Sequence, residues 1–108
     1  MVPVNEARVA DELRVVHEFD GAVLAAQIGL VVERLRAEGA DPASVDVRQI
    51  AGETIWRDVR ADLAARGVEF DVGCGWSLTG GFLSVSFQLA KPSDVVIVRS
   101  LVPDWMPT

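Results

Sequence analysis

The sequence contains few of the residues that most often carry chemistry, with one cysteine, Cys74, and one histidine, His17, among its 108 residues. A single cysteine excludes an internal disulfide and a zinc cluster built only from cysteines of this chain. Catalysis by an imidazole would have to use His17, and no two potential metal ligands have a diagnostic spacing. The sequence therefore predicts neither an enzyme nor a protein with a metal or other cofactor.

An apolar segment of membrane-spanning length is also absent from the sequence. The longest mainly apolar run, residues 22–32, is interrupted by Gln27, whereas a transmembrane helix needs about 18 or more such residues. The N-terminal residues do not combine a basic region, an apolar stretch and a small-residue cleavage site, as a secretory signal does. We therefore expect a cytoplasmic protein without a membrane partner.

Positive charge is scarce, because 10 lysines and arginines stand against 16 aspartates and glutamates. The net charge is −6 and the pI is near 4.6. Nucleic-acid binding draws on basic residues that neutralise phosphates, so the bulk charge disfavours that partner. A local basic face remains compatible with this balance, since several arginines fall on predicted helices. The excess of arginine over lysine is typical of GC-rich coding DNA and suggests a bacterial or phage source.

The composition is otherwise that of a folded protein. Half of the residues are apolar and the mean hydropathy is +0.28, which excludes intrinsic disorder because disorder combines low hydropathy with high net charge. A chain of this length is close to the commonest domain size, and two halves would each be too small to fold alone. We expect residues 1–108 to form a single domain.

Two segments have apolar residues at helical spacing. Residues 22–38 follow Asp20, a good N-cap, and precede Gly39, which is well placed to end a helix. Their apolar residues lie on almost every side, which predicts a helix buried in the core or at an interface. Residues 53–66 form the second predicted helix, with an ion pair between Asp62 and Arg66.

Two other segments fit more than one structure. Asn5 is a fair N-cap for a helix over residues 6–18, but residues 13–19 also alternate between apolar and polar, as in a strand. We favour the helix there. Residues 45–50 form either a short strand or a helical turn begun by Asp41-Pro42.

The C-terminal half changes to a period of two, which indicates half-buried strands. Residues 68–78 and 83–89 alternate in this way, and the short turn Thr79-Gly80-Gly81 between them makes the pairing antiparallel. Residues 95–101 are interpreted as a third strand whose first half is apolar on both faces. The sequence thus predicts an α+β fold in which two or three N-terminal helices pack on a three-stranded antiparallel β-meander.

The alternation of apolar and polar residues along the strands also predicts which side chains of the sheet face the core. Cys74 lies on the apolar face of its strand, so we expect it to be buried and unreactive. Trp56 and Leu63 should contact the sheet while the arginines of their helix face solvent. The expected contact face consists of Phe70, Val72 and Val85.

Residues 53–67, with the sequence ETIWRDVRADLAARG, resemble the recognition-helix segment of DeoR-type winged-helix repressors, whose pattern is roughly E-T-I-R-R-D-L-x-x-L-x-x-x-G. Trp56 stands where that family has a basic residue, and the chain between Val45 and Glu53 is too short for the family's preceding helix and turn. The resemblance implies a DNA-binding regulator, and this is the alternative function. The residues it would place at DNA are Thr54, Arg57 and Arg60.

The favoured function is a small non-enzymatic protein–protein interaction or regulatory module of the adaptor, immunity or phage-encoded type. No catalytic constellation is visible, and the apolar surface exceeds what a two-layer monomer easily hides. The edge of the predicted strand 95–101 lacks protective charges in its first half, which predicts a two-fold homodimer. The predicted interface residues are Leu30, Val95, Val96, Ile97 and Val98.

Overall fold

The computed structural model describes residues 13–70 and 73–107. Its elements in chain order are β1 (Arg14–Glu18), α1 (Gly21–Ala37), a 3₁₀ turn (Pro42–Ser44), α2 (Val47–Ala65), β2 (Gly75–Thr79), β3 (Phe82–Gln88), α3 (Pro92–Leu101) and a second 3₁₀ turn (Val102–Asp104). An α+β fold with helices and a three-stranded antiparallel sheet is confirmed. Within the described ranges, no helix is long and apolar enough to cross a membrane.

The sheet has the strand order β1-β3-β2, so β3 is its central strand. Val15 of β1 and Trp76 of β2 lie opposite Phe87 and Val85 of β3, respectively. Paired residues share a face, and this face carries the buried side chains of the sheet. The predicted turn between β2 and β3 is a two-residue connection whose glycines, Gly80 and Gly81, both have positive φ, as tight hairpins require.

The prediction of a first helix is wrong where the structure describes that segment, because the chain there forms an edge strand of the sheet. Residues 14–18 form β1, and the alternation between buried Val15 and exposed Val16 has a period of two. Antiparallel pairing with β3 decides the segment, since Val15 and Phe19, four residues apart, would share a face in a helix as well as in a strand. The proposed N-cap, Asn5, lies outside the described residues.

Helix α1 has the predicted ends. The Asp20 carboxylate accepts a hydrogen bond from the backbone N–H of Ala22 at 3.0 Å, and Gly39 takes a φ of 78° just beyond the helix. One side of the helix is exposed in the single chain, so α1 is not buried in the core on most sides, and its place at an interface stays a prediction. That side consists of Ala22, Ala25, Ala26, Gly29 and Leu30.

Helix α2 begins at Val47, six residues before its predicted start. The Asp46 carboxylate accepts from the backbone N–H of Gln49 at 3.1 Å and so caps the helix, while the Asp41-Pro42 pair begins only the 3₁₀ turn. Of the two structures considered for residues 45–50, the helical one is therefore correct for residues 47–50, which belong to α2. The added turns bring Gly52 beside Trp76, where a Cβ atom would lie 2.8 Å from the indole ring.

The predicted contact of Trp56 with the sheet is confirmed, although the residue it stacks on, Phe87, was not among the expected contacts. Leu63 is fully buried, and the Trp56 ring stacks on Phe87 of β3 with 5.2 Å between ring centroids. Phe70 also contacts the Phe87 ring, with 5.9 Å between ring centroids. Val72, the other expected contact, lies outside the described residues.

The segment predicted as one strand over residues 68–78 is interrupted. Phe70 makes an isolated bridge to Leu89, and β2 begins only at Gly75. Gly73 lies between them, where a Cβ atom would approach the Cβ of Gln88 to 3.0 Å. Cys74 is half-buried rather than buried, and its thiol donates to the backbone carbonyl of Gln88 at 3.6 Å.

The largest correction concerns residues 95–101, which form most of helix α3 and not a third strand. Pro92 occupies the first turn, where its missing N–H is not needed, and Asp94 lies close to the positive end of the helix. The buried residues Val95, Val98 and Val102 are spaced three and four apart, which is a helical stripe. The third strand of the sheet is β1 instead.

Asp94 provides a test of how α3 is attached. It is buried, and its Oδ2 accepts a hydrogen bond from the backbone N–H of Glu69 at 3.2 Å. Changing Asp94 to Ala leaves that N–H without its partner, so we expect the free energy of unfolding to fall by about 1–3 kcal/mol. Asp94→Asn retains an acceptor oxygen and should lose less. Urea denaturation measures both, and equal losses would contradict this role for the hydrogen bond.

Candidate functional site

An open groove runs along the surface where α3 and the turn after it meet the end of α2. It encloses about 530 Å³, and we refer to it as the α3 groove. Four of its lining residues are apolar or aromatic: Val96, Ile97, Leu101 and Trp105. The other four are Asp62, Arg66, Ser100 and Asp104.

Helical geometry divides the predicted interface residues between the core and this groove. Val95 and Val98 face the core, and Val98 is completely buried. Val96 is 65% exposed and Ile97 is half-buried, and both line the groove. In the predicted strand, Val96 and Val98 would have shared a face, whereas in the helix they point in nearly opposite directions.

Trp105 forms one wall of the groove and was not identified as a functional residue from the sequence. Its Nε1 donates to Asp62 Oδ2 at 2.9 Å, and its ring lies edge-on to Phe19 with 6.2 Å between centroids. The predicted ion pair between Asp62 and Arg66 is wrong, because the Asp62 carboxylate bonds the indole instead. A tryptophan in a proline-rich tail was the only sequence signal for this contact.

The charged rim of the groove has both signs. Arg66 and Asp104 line it from α2 and from the 3₁₀ turn, and neither forms an ion pair with another residue of the described ranges. Ser100 is turned toward its own helix, since its hydroxyl donates to the carbonyl of Val96 at 2.8 Å. The groove therefore combines an apolar floor with one unpaired positive group and one unpaired negative group.

The remaining predicted site residues lie elsewhere. Leu30, on α1, lines a second cavity between α1 and α2 together with Thr54 and Arg57. Arg60 lies apart from them, with its guanidinium 5.3 Å from the centroid of the Trp56 ring and 5.2 Å from that of Phe70. The three residues proposed for DNA contact are thus split between two places.

The residues just before Glu53 do not form the separate helix and turn that the resemblance to winged-helix repressors requires. Residues 47–53 are the first turns of α2 itself. A winged-helix repressor has a separate helix and turn at that place. The connection between α1 and α2, residues 38–46, is nine residues long, which is longer than the three or four residues of a helix-turn-helix connection.

His17 does not belong to a catalytic arrangement in the described part of the chain. Its ring packs edge-on against Phe19, with 4.8 Å between centroids, and partial burial lowers the pKa of the imidazole below its ordinary value of 6.5. No hydrogen bond or ion pair joins its side chain to another described residue. Across the same residues, no group of three or more His, Cys, Asp and Glu is arranged to hold a metal ion.

Comparisons with known proteins give no relative for this chain. No family model matches it, and neither the curated proteins nor the solved structures contain a significant match.

Proposed function

We propose that this protein is a small non-enzymatic protein–protein interaction module that acts as a homodimer, with the α3 groove as the contact surface. The observation that carries the proposal is Val96, an aliphatic side chain that is 65% exposed in a groove with three further apolar residues. Contiguous apolar surface of this kind is characteristic of contact sites, whereas single exposed apolar residues are ordinary.

The groove also contains the residue types that dominate binding at protein interfaces. Tryptophan and arginine are enriched among residues whose truncation weakens binding most, and the groove has Trp105 and Arg66. The hydrogen bond to Asp62 holds the indole in place before any partner arrives, which reduces the entropy lost on association. Stable interfaces bury about 800 Å² on each partner, so the groove would form the centre and the exposed Met106 would lie near the rim.

The distribution of charge favours a second copy of the chain as the partner. In a two-fold interface the same surface of each subunit meets its counterpart, so a rim with both signs complements itself. Arg66 of one subunit would pair with Asp104 of the other, and the symmetry would form the pair twice. Neither residue has an internal ion pair in the described ranges that this arrangement would have to break.

The open face of the sheet is a weaker candidate for the interface. It contains Val16 and, at the start of β3, Phe82, but its other residues on β2 and β3 include Ser77, Ser84 and Ser86. A polar outer face is ordinary for an antiparallel sheet with helices on one side. Val16 therefore serves as a control position rather than as a second interface.

The test is the oligomeric state of two matched variants. Val96 and Val16 are 65% and 64% exposed, so a lysine at either position adds the same charge at the same accessibility. We expect the wild-type chain to have about twice its 11.6 kDa mass at micromolar concentration. Val96→Lys should raise the dissociation constant at least about thirty-fold, as for loss of a strong interface residue, while Val16→Lys should leave it unchanged. Sedimentation equilibrium measures these values.

A charge exchange tests the two-fold pairing directly. Arg66→Asp should weaken the dimer, and the double variant Arg66→Asp with Asp104→Arg should restore it, because the two charges are then exchanged on both subunits. A wild-type protein that sediments at 11.6 kDa would contradict the homodimer. Dissociation by Val16→Lys but not by Val96→Lys would place the contact on the sheet instead.

A further inference from the structure

The cavity between α1 and α2 is polar at a place where two packed helices normally present apolar side chains. Helix α1 contributes Gln27, Leu30, Val31 and Arg34, which lie three or four residues apart on one face. Helix α2 contributes Thr54, Arg57 and Asp58 with the same spacing. The space encloses about 310 Å³, at the lower end of the range for small-molecule sites. We call it the Gln27 cavity.

Gln27 is the unusual residue of this cavity. It is only 6% exposed and lies in the buried stripe of α1 between Leu24 and Val31. Its side-chain amide forms no hydrogen bond with any residue of the described ranges. The amide is also not fully enclosed, since no enclosed side-chain nitrogen or oxygen there lacks a partner. Its polar end therefore faces the cavity, although leucine would pack there at lower cost.

The two arginines of the cavity are available to bind an anion. Arg34 has no ion pair within the described ranges. Arg57 has only a long contact to Asp58, with 3.8 Å between Nε and Oδ1 and both side chains largely exposed, and such a pair is weak. Two guanidinium groups beside one carboxylate give the cavity a net positive charge in a protein of net charge −6. Guanidinium groups bind carboxylates and phosphates with paired hydrogen bonds.

Thr54 adds a requirement for the ligand. Its hydroxyl already donates to the carbonyl of Ile50 at 2.8 Å, so only the oxygen lone pairs remain to accept a hydrogen bond. The Gln27 amide has both a donor and an acceptor. The cavity thus offers donors for an anionic group and acceptors for a hydroxyl group.

We propose that the Gln27 cavity binds a small hydroxylated anion, a molecule with a carboxylate or phosphate group beside a hydroxyl. Arg34 and Arg57 bind the anionic group, and Gln27 and Thr54 bind the hydroxyl. The proposal rests on contacts separate from the α3 groove and holds whether or not the chain dimerises. Lactate, glycerol 3-phosphate and inorganic phosphate are the probes, and glycerol is the neutral control.

Isothermal titration calorimetry of the full chain with each probe tests the site. We expect saturable binding of lactate or glycerol 3-phosphate, weaker binding of inorganic phosphate, which lacks the neighbouring carbon-bound hydroxyl, and no binding of glycerol. The stronger of the first two probes identifies whether the anionic group is a carboxylate or a phosphate. Absence of saturable binding by all the charged probes would overturn the proposal.

Variants separate a binding role from a packing role. Gln27→Leu should reduce the affinity by about two- to tenfold, as expected for losing a hydrogen bond between two neutral groups, while the thermal midpoint of the variant equals or exceeds that of the wild type. Arg34→Gln should weaken binding similarly. Arg36→Gln is the matched control, because Arg36 is exposed on the same helix and does not line the cavity.

Two further results would overturn the site. An equal loss of affinity in Arg36→Gln would show a general effect of charge. Binding of a DNA duplex that is weakened by Arg57→Gln, in a protein that binds none of the small anions, would assign these arginines to nucleic acid.

Discussion

Replacing Val98 with lysine is expected to unfold the protein or to destabilise it by more than about 3 kcal/mol, the range found when a buried charge has no partner. Val98 is completely buried in α3. Val98 borders a cavity of about 200 Å³ that is also lined by Arg14 and Arg99. A lysine that reached it would meet like charges, so neither the core nor this cavity accommodates the ammonium group. Domains of this size have stabilities of about 5–15 kcal/mol, and circular dichroism with urea denaturation measures the loss.

The control for this experiment is Val96→Lys, two residues away on the same helix. Val96 is 65% exposed, so the lysine extends into water and the monomer should remain folded, with a change within about 0.5 kcal/mol. The pair also distinguishes helix from strand, because residues two apart share a face only in a strand. Equal effects of the two substitutions would contradict α3 as a helix.

Truncation of Phe87 to alanine is expected to lower the free energy of unfolding by about 3–5 kcal/mol, as for other large-to-small changes of buried aromatic residues. Phe87 lies on the central strand and is completely buried. Its ring stacks on Trp56 of α2 and contacts Phe70, so the substitution removes the centre of the contact between helix and sheet. The cavity left behind adds to the lost burial.

Phe82 is the matched control on the same strand. It lies on the opposite face of β3 and is 47% exposed, so Phe82→Ala should lower the stability by less than about 1 kcal/mol. Urea denaturation of both variants gives the comparison. If Phe82→Ala lowered the free energy of unfolding as much as Phe87→Ala does, the open face of the sheet would be covered. That face would then be the candidate interface.

Both candidate sites depend on features that only the tertiary structure shows. The α3 groove exists because residues 95–101 are helical, which leaves Val96 at the surface and takes Val98 into the core. The Gln27 cavity exists because α1 and α2 face each other over Arg34 and Arg57. The sequence predicted both helices as possible carriers of a basic face but did not predict that these two arginines line the same cavity.

The sequence by itself determined the elements whose signals are local. Asp20 and Gly39 define α1 because capping and a positive φ depend only on neighbouring residues. The alternation of β3 and the glycine pair at the hairpin likewise specify its pairing with β2. These features were predicted correctly for that reason.

Tertiary structure decided the segments whose local signals conflict. Residues 95–98 are four consecutive aliphatic residues, and such a run has no period, so only burial against β1 and α2 selects the helix. Residues 13–19 fit both periods, and pairing with β3 selects the strand. The hydrogen bond from Trp105 to Asp62 joins residues 43 positions apart. Contacts at such separations depend on the packing of the whole chain, which no local pattern contains.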